Sequence, residues 1–199
     1  MKIYGLTILH TPLSQPSMPL VTMMDLSSFS FYQHPSISEF MSFFGRMLAE
    51  RTPQGGRESV QEGSYTAHVY NWGGTEQVVG VLIADHKYPV CPAFLLLTKA
   101  LDDFMAKVLT SSYAMPSAIS FPEVQTYVQK YQDPCQADAI MHVQQELNKM
   151  KIVLHKTTES VLEHGERIND LVDRLNVLST QTKVFYRTTK EQNSCCVLM

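Results

Sequence analysis

The last third of the chain carries the feature that most constrains its fold, a proline-free seam of residues spaced alternately three and four apart from 140 to 192. Such spacing predicts one face of a helix, which would be about 80 Å long at 1.5 Å per residue. So long a helix predicts a coiled coil with partner helices. The alternative is an amphipathic helix packed on its own domain, and both arrangements can hold at different times. The apolar seam positions are Ile140, Val143, Leu147, Met150, Leu154, Val161, Ile168, Leu171, Leu175, Leu178 and Phe185.

Five further seam positions are polar, and they limit what the helix can pair with. Polar side chains in a coiled-coil seam specify register and partner at a cost in stability. They therefore disfavour, without excluding, a stable pair between two copies of this chain. These positions are Thr157, His164, Thr182, Thr189 and Gln192.

Residues 1–132 show shorter patterns, typical of a compact unit of mixed helices and strands. Residues 133–139 read as a linker, 140–192 as the coiled-coil motif and 193–199 as a tail. The patterns predict strands at 2–10, 20–26, 57–61, 64–72 and 77–85, helices starting near Ser36 and Pro92, and a short helix over 122–131.

The first helix is predicted to begin with a capping box, in which Ser36 and Glu39 satisfy each other's backbone N–H groups. Phe40 belongs to the apolar stripe of this helix. Phe43 lies beside the stripe and could be exposed.

The end of the sequence, Cys196-Val197-Leu198-Met199, fits the C-a-a-X pattern, in which methionine at X directs a farnesyl group to the cysteine. We therefore predict a prenyl group on Cys196. One lipid chain gives only marginal membrane binding, so Cys195 is the expected second site, for palmitate or another prenyl group. No apolar run approaches the roughly 18 residues that a spanning helix needs, which makes lipid the expected membrane attachment.

Composition and motifs exclude several functional classes. A net charge of -3 with 18% charged residues argues against a nucleic-acid-binding surface. The sequence has neither a phosphate-binding loop nor metal-ligand spacing of its histidines and cysteines. We therefore expect no catalytic residues, no metal and no cofactor beyond the covalent lipid.

Several stretches together resemble the YKT-type prenylated R-SNAREs, a longin-domain family of synaptobrevin-like proteins: "MKIYGLTIL", "EFMSFF", "VGVLIADHKYP", "ESVLEHGERINDLVDRL" and "KVFYRTTKEQNSCCVLM". The resemblance runs nearly end to end. It implies an α+β longin domain, profilin-like, with a five-stranded antiparallel-type sheet between helices, followed by a long α-helical SNARE coiled-coil motif.

The resemblance also implies a function, which is membrane fusion driven by zipping with three Q-SNARE helices in ER–Golgi, endosomal, vacuolar or autophagic transport. It implies a prenyltransferase as a partner, and a location in the cytosol and on the cytoplasmic face of Golgi, vesicle, endosomal or vacuolar membranes. An intramolecular contact between the longin domain and the SNARE motif would hold a closed cytosolic state. Phe40 and Phe43 are the implied regulatory surface, although Phe40 could also be ordinary core.

The chain departs from the family at the central layer of the seam, where the resemblance places His164 instead of arginine. Imidazole titrates near neutral pH, so this layer could change its charge with pH. A neutral polar layer that only fixes the register is the alternative.

Another functional class also fits the sequence. It is a lipidated trafficking adaptor, whose longin domain binds a coat or a small GTPase and whose helix forms another coiled coil. Self-acylation on Cys195 would need an activated base, and the sequence shows none.

Overall fold

The computed structural model describes residues 1–133, 151–162, 167–174 and 178–195. Its centre is a sheet whose first five strands are antiparallel to their neighbours, in the order β2-β1-β5-β4-β3. The β4–β5 turn contains Gly73 and Gly74, both at positive φ, a conformation that favours glycine. These five strands confirm the expected sheet: β1 (Ile3–His10), β2 (Met18–Met24), β3 (Arg57–Glu62), β4 (Tyr65–Gly73) and β5 (Val78–Asp85).

Helices cover both faces of the sheet because its strands alternate their side chains between two apolar clusters. On β5, Val78 and Leu82 belong to the cluster beneath α2 (Val90–Lys107) and α3 (Glu123–Lys130), whereas Val79 and Val81 belong to the cluster beneath α1 (His34–Arg51). The N-terminal unit is therefore the expected α+β domain.

The start of α1 differs from the predicted capping box. The helix begins at His34 with Pro35 in its first turn and without a side-chain cap. Proline suits that position because its φ is already helical and its missing N–H is not needed there. The Ser36 hydroxyl is therefore not the cap, and the Glu39 carboxylate contacts residues far along the chain.

Phe43, whose position beside the stripe left exposure open, is buried. Its side chain is 6% exposed and packs in the cluster between α1 and the sheet, together with Phe44. Phe40, in contrast, is only partly buried at the edge of that cluster. The helix therefore buries a wider apolar face than the three-and-four spacing indicated.

The C-terminal segment does not form one continuous helix in this structure. It contains a short strand β6 (Val153–His155), a 3₁₀ turn (Thr158–Ser160), α4 (Ile168–Arg174) and α5 (Thr180–Cys195). Strand β6 pairs in parallel with β3 and extends the sheet to six strands. Several apolar residues of the segment are buried on the chain's own domain, among them Ile168, Val172, Leu178 and Tyr186. The segment therefore packs on its domain, as in the alternative to the coiled coil, but as separate short elements instead of one amphipathic helix.

A docking groove for the C-terminal segment

The groove is the surface between α1 and the β3–β4 hairpin, on which α5 lies. It encloses an apolar cavity of ≈160 Å³. Helix α1 forms one wall, the strands form another, and two residues of α5 cover it. The lining residues are Tyr4, Phe29, Ile37, Phe40, Met41, Phe44, Glu62, Gly63, Tyr65, Ala67, Ile83, Phe185 and Tyr186.

Aromatic stacking joins α5 to α1 at this cavity. The ring of Tyr186 stacks on that of Phe40 with centroids 4.9 Å apart and an interplanar angle of 21°. Phe40 in turn stacks on Phe44 at 5.9 Å. Burial raises the pKa of the Tyr186 hydroxyl, as expected for a phenol held away from water. Phe40 is therefore an interface residue, whereas Phe43 belongs to the core.

The face of the C-terminal segment that docks overlaps the predicted seam without coinciding with it. Ile168, Leu178 and Thr182 are seam positions, and all three are buried against the domain. Val172 and Tyr186 lie off the seam and are buried as well. The docked face therefore includes three side chains of the predicted seam.

A carboxylate from α1 meets the start of α5. Glu39 accepts hydrogen bonds from the Ser179 backbone N–H (2.8 Å), the Ser179 hydroxyl (2.7 Å) and the Thr182 hydroxyl. The bonds from Ser179 and then Thr182 lower the pKa of Glu39, because they favour the charged form. The carboxylate supplies a cap from a distant part of the chain.

A second carboxylate meets the 3₁₀ turn that follows β6. Glu62, at the end of β3, accepts a hydrogen bond from the Thr158 hydroxyl at 2.5 Å and another from its backbone N–H at 3.4 Å. The side chain of Thr158 is fully buried. Both contacts pair a glutamate of the N-terminal domain with a threonine hydroxyl of the C-terminal segment.

A histidine–glutamate pair joins β6 to β3 at the edge of the sheet. Nε2 of His155 lies 3.5 Å from a carboxylate oxygen of Glu58, and Nδ1 lies 3.1 Å from the Ser160 hydroxyl. Burial raises the pKa of Glu58, and His155 partly offsets this rise.

Many of the predicted site residues lie outside the described part of the chain. Of those that are described, Leu154 is 65% exposed on β6, and Val161, Leu171 and Phe185 are partly buried. Cys195 is the last residue of α5. The predicted site residues that lie outside the described part of the chain are Ile140, Val143, Leu147, Met150, His164, Leu175 and Cys196.

Sequence reasoning missed Glu39, Glu62, Val172 and Tyr186 as interface residues. The spacing of Leu178, Thr182 and Tyr186 at steps of four was a usable signal for a second face on α5. No local pattern pointed to the carboxylates, because their partners lie 140 and 96 residues away.

The described ranges contain no group of three or more His, Cys, Asp or Glu side chains suited to a metal ion. Within the same part of the chain, no helix is both long and apolar enough to cross a membrane.

Comparison with known proteins assigns both parts of the chain to families. Residues 26–128 match the Longin family, described as a regulated-SNARE-like domain, and residues 139–196 match Synaptobrevin. The chain is similar over its full length, and over the full length of each relative, to the synaptobrevin homologues Ykt6 of Schizosaccharomyces pombe (48% identical), Candida glabrata (45%) and Saccharomyces cerevisiae (43%). Proteins of this kind are not enzymes and use no cofactor. The chain therefore belongs to the Ykt6 synaptobrevin homologues, SNARE proteins of vesicle trafficking with a longin domain ahead of the synaptobrevin region.

Proposed function

We propose that this chain is a lipid-anchored R-SNARE that alternates between the docked arrangement and a four-helix bundle with three Q-SNARE helices. One observation carries the proposal: the seam residues Ile168, Leu178 and Thr182 are buried on the chain's own domain. Side chains held there cannot face partner helices at the same time. The longin domain, residues 1–132, thereby keeps the motif inactive until it is released.

In the bundle, residues 140–192 form one helix, and residues 133–139 link it to the longin domain. Burial of the apolar seam drives assembly. Zipping towards residue 192 pulls the lipidated tail, residues 193–199, towards the anchors of the partner helices. The two membranes are thereby brought together, in ER–Golgi, endosomal, vacuolar or autophagic transport.

The lipids in this proposal sit on the two adjacent cysteines of the tail. A prenyltransferase modifies Cys196, and Cys195 carries palmitate or a second prenyl group. Helix α5 runs from the cavity to Cys195, and the apolar lining of the cavity suits an isoprenoid chain. Docked protein then stays in the cytosol, and released protein binds the cytoplasmic face of Golgi, vesicle, endosomal or vacuolar membranes.

His164 is proposed to occupy the central layer of the bundle. Whether it acts as a charged or a neutral layer is decided by the pH dependence of bundle melting between about pH 5.5 and 7.5. Identical profiles for the unmodified chain and His164→Arg would favour the neutral layer.

Phe40→Glu tests the docked arrangement, because it places a carboxylate against the Tyr186 ring. We expect the variant to remain folded, to assemble with three Q-SNARE helices faster than the unmodified chain, and to shift from cytosol to membranes in cells. Phe31→Glu is the matched control, since Phe31 is 78% exposed and does not line the cavity.

Two results would contradict different parts of the proposal. A folded Phe40→Glu variant that stays fully cytosolic and assembles at the unmodified rate would refute the sheltering role. Failure of every variant to form a heat-resistant helical complex with Q-SNARE helices would refute the R-SNARE assignment itself.

A lipidated trafficking adaptor is the second candidate. The adjacent rings of Phe31 and Tyr32, both strongly exposed and 6.1 Å apart, favour it, because exposed paired aromatics often mark protein contacts. In that case the longin domain would bind a coat or small GTPase, and the substitution Phe31→Glu would abolish recruitment without changing SNARE assembly.

A further inference from the structure

We propose that Glu39 and Glu62 act together as a carboxylate clasp, which fixes the register of the C-terminal segment in the groove and holds it there. The proposal rests on the docked state described above and names the contacts that regulate it. The clasp consists of Glu39 on α1 with Ser179 and Thr182, and of Glu62 on β3 with Thr158.

The Glu39 part of the clasp caps α5 from outside the helix. The first N–H groups of any helix lack partners within it, and a negative charge there is favoured by the helix dipole. Glu39 accepts a hydrogen bond from the Ser179 N–H, and the Ser179 hydroxyl accepts one from the Thr182 N–H at 3.2 Å. The Ser179 N–H at the start of α5 therefore has its carboxylate partner only when the helix lies against α1.

The Glu62 part secures the segment at a second point. Thr158 and Thr182 are both fully buried when docked, and a buried hydroxyl without a partner destabilises the arrangement that buries it. Apolar contacts alone would tolerate sliding of α5 along the groove. The Thr182 hydroxyl reaches Glu39 in this register of α5, and Glu62 holds Thr158 at a separate point, so the two contacts together favour this docked arrangement.

The clasp is also reversible, because neither glutamate lies deep in the domain. Glu39 and Glu62 are part-exposed side chains, and both return to water when the segment leaves. Release then requires no rearrangement of the domain core. It also frees the Thr182 hydroxyl for its seam position in the bundle.

Glutamate-to-glutamine substitutions in the full chain test the clasp, since they keep the size of the side chain and remove its charge. The readout is amide hydrogen exchange of α5 and of residues 153–162, with exchange in β1 and β5 as the measure of domain stability. Glu39→Gln and Glu62→Gln should each speed exchange in the docked segment about tenfold, as expected for loss of charged hydrogen bonds.

Glu50→Gln is the matched control. Glu50 accepts hydrogen bonds from the Ser17 N–H and hydroxyl at 3.0 and 2.7 Å, so its chemistry is the same. Both of its partners lie within the longin domain, and the substitution should leave exchange in α5 unchanged. In a Ser179→Ala/Thr182→Val background, Glu39→Gln should have a clearly smaller effect, because only the backbone N–H of residue 179 still donates to Glu39.

The clasp is overturned if α5 is protected in the unmodified chain and Glu39→Gln leaves that protection intact. It is equally overturned if the effect of Glu39→Gln is undiminished in the Ser179→Ala/Thr182→Val background, or if β1 and β5 exchange faster by the same factor as α5. Rapid exchange of α5 in the unmodified chain is a different result, because it would refute the docked state and with it the sheltering part of the proposed function.

Discussion

At the scale of single residues, Thr182 shows why a polar side chain can serve in an apolar seam. It is 0% exposed when docked, and its hydroxyl donates to Glu39. A valine at this position would bury equally well in a helical bundle but would leave the carboxylate without this donor. The polarity of Thr182 therefore favours the docked arrangement.

His68 is a second informative residue, and it predicts how acid affects the domain. It is fully buried on β4, where its Nδ1 lies 2.8 Å from the Ser59 hydroxyl and its ring packs edge-on against Phe94. Its Nε2 has no hydrogen-bond partner among the described residues. Burial lowers the pKa of His68 from 6.5 to about 4.

Between pH 6.5 and about 4 the unfolded chain binds a proton at this histidine and the folded chain does not. The contribution of His68 to stability is therefore complete above pH 6.5 and declines as the pH falls towards 4. We expect a total loss of roughly 3 kcal/mol in the free energy of unfolding from this group. Urea unfolding curves at several pH values measure it.

The control for this prediction is His68→Gln, which keeps a polar partner for Ser59 and does not titrate. Because Glu58 and other groups titrate equally in both proteins, the difference between the two profiles isolates His68. Parallel profiles from pH 7 to 4.5 would show that the histidine is protonated without penalty in the folded state.

At the scale of elements, α5 has two overlapping faces with different uses. Thr182 belongs to both faces, as does Leu178 just before the helix, whereas Phe185 continues the seam and Tyr186 continues the docking face. A substitution at Tyr186 should therefore affect only one arrangement of the helix.

Tyr186→Ala is predicted to loosen docking while leaving the SNARE complex intact. Removing a large buried aromatic side chain costs about 3 kcal/mol or more, which corresponds to roughly a hundredfold rise in the released population. Limited proteolysis within α5 should accelerate accordingly, and the melting temperature of the complex with Q-SNARE helices should not change.

Val184→Ala is the control for this substitution, since Val184 is 57% exposed on the same helix. Equal proteolysis of the Tyr186→Ala and Val184→Ala chains would mean that the stacking on Phe40 does not hold α5. A lower melting temperature of the Tyr186→Ala complex would place Tyr186 in the bundle seam.

The elements of the longin domain could be predicted from the sequence, because alternation along strands and three-and-four spacing along helices report which residues need burial. The same spacing does not specify what buries them. The seam from 140 to 192 therefore predicted a coiled coil, whereas this structure buries three of its residues, Ile168, Leu178 and Thr182, on the chain's own domain. The capping box at Ser36 failed because Pro35 starts the helix earlier, and the Glu39 contact depends on residues that only the fold brings near.

At the scale of the whole molecule, docking makes the chain compact. A folded chain of 199 residues should have a radius of gyration of about 16 Å. A helix about 80 Å long, projecting from the domain, would raise this value to well above 20 Å. Small-angle X-ray scattering of Phe40→Glu should therefore give the larger radius, and the unmodified chain the smaller one.

Phe31→Glu again provides the control, with a radius close to that of the unmodified chain. If the Phe40→Glu chain stays as compact as the unmodified one, the Phe40–Tyr186 stack does not maintain the docked state. A large radius for the unmodified chain would instead show that docking is rare in solution.

In the proposed function, Leu178 and Thr182 serve both the docked arrangement and the bundle, which has a quantitative consequence for when the protein acts. The groove of the longin domain competes with partner helices for the C-terminal segment, and it belongs to the same chain. Its effective concentration is therefore fixed, typically in the millimolar range for a short connection, however dilute the protein is. Partner helices scattered through a membrane cannot match that concentration, whereas helices gathered at a single contact point between two membranes can. On this proposal, the docked segment would make the chain sensitive to local partner density, inactive in dilute surroundings and responsive where its partners cluster.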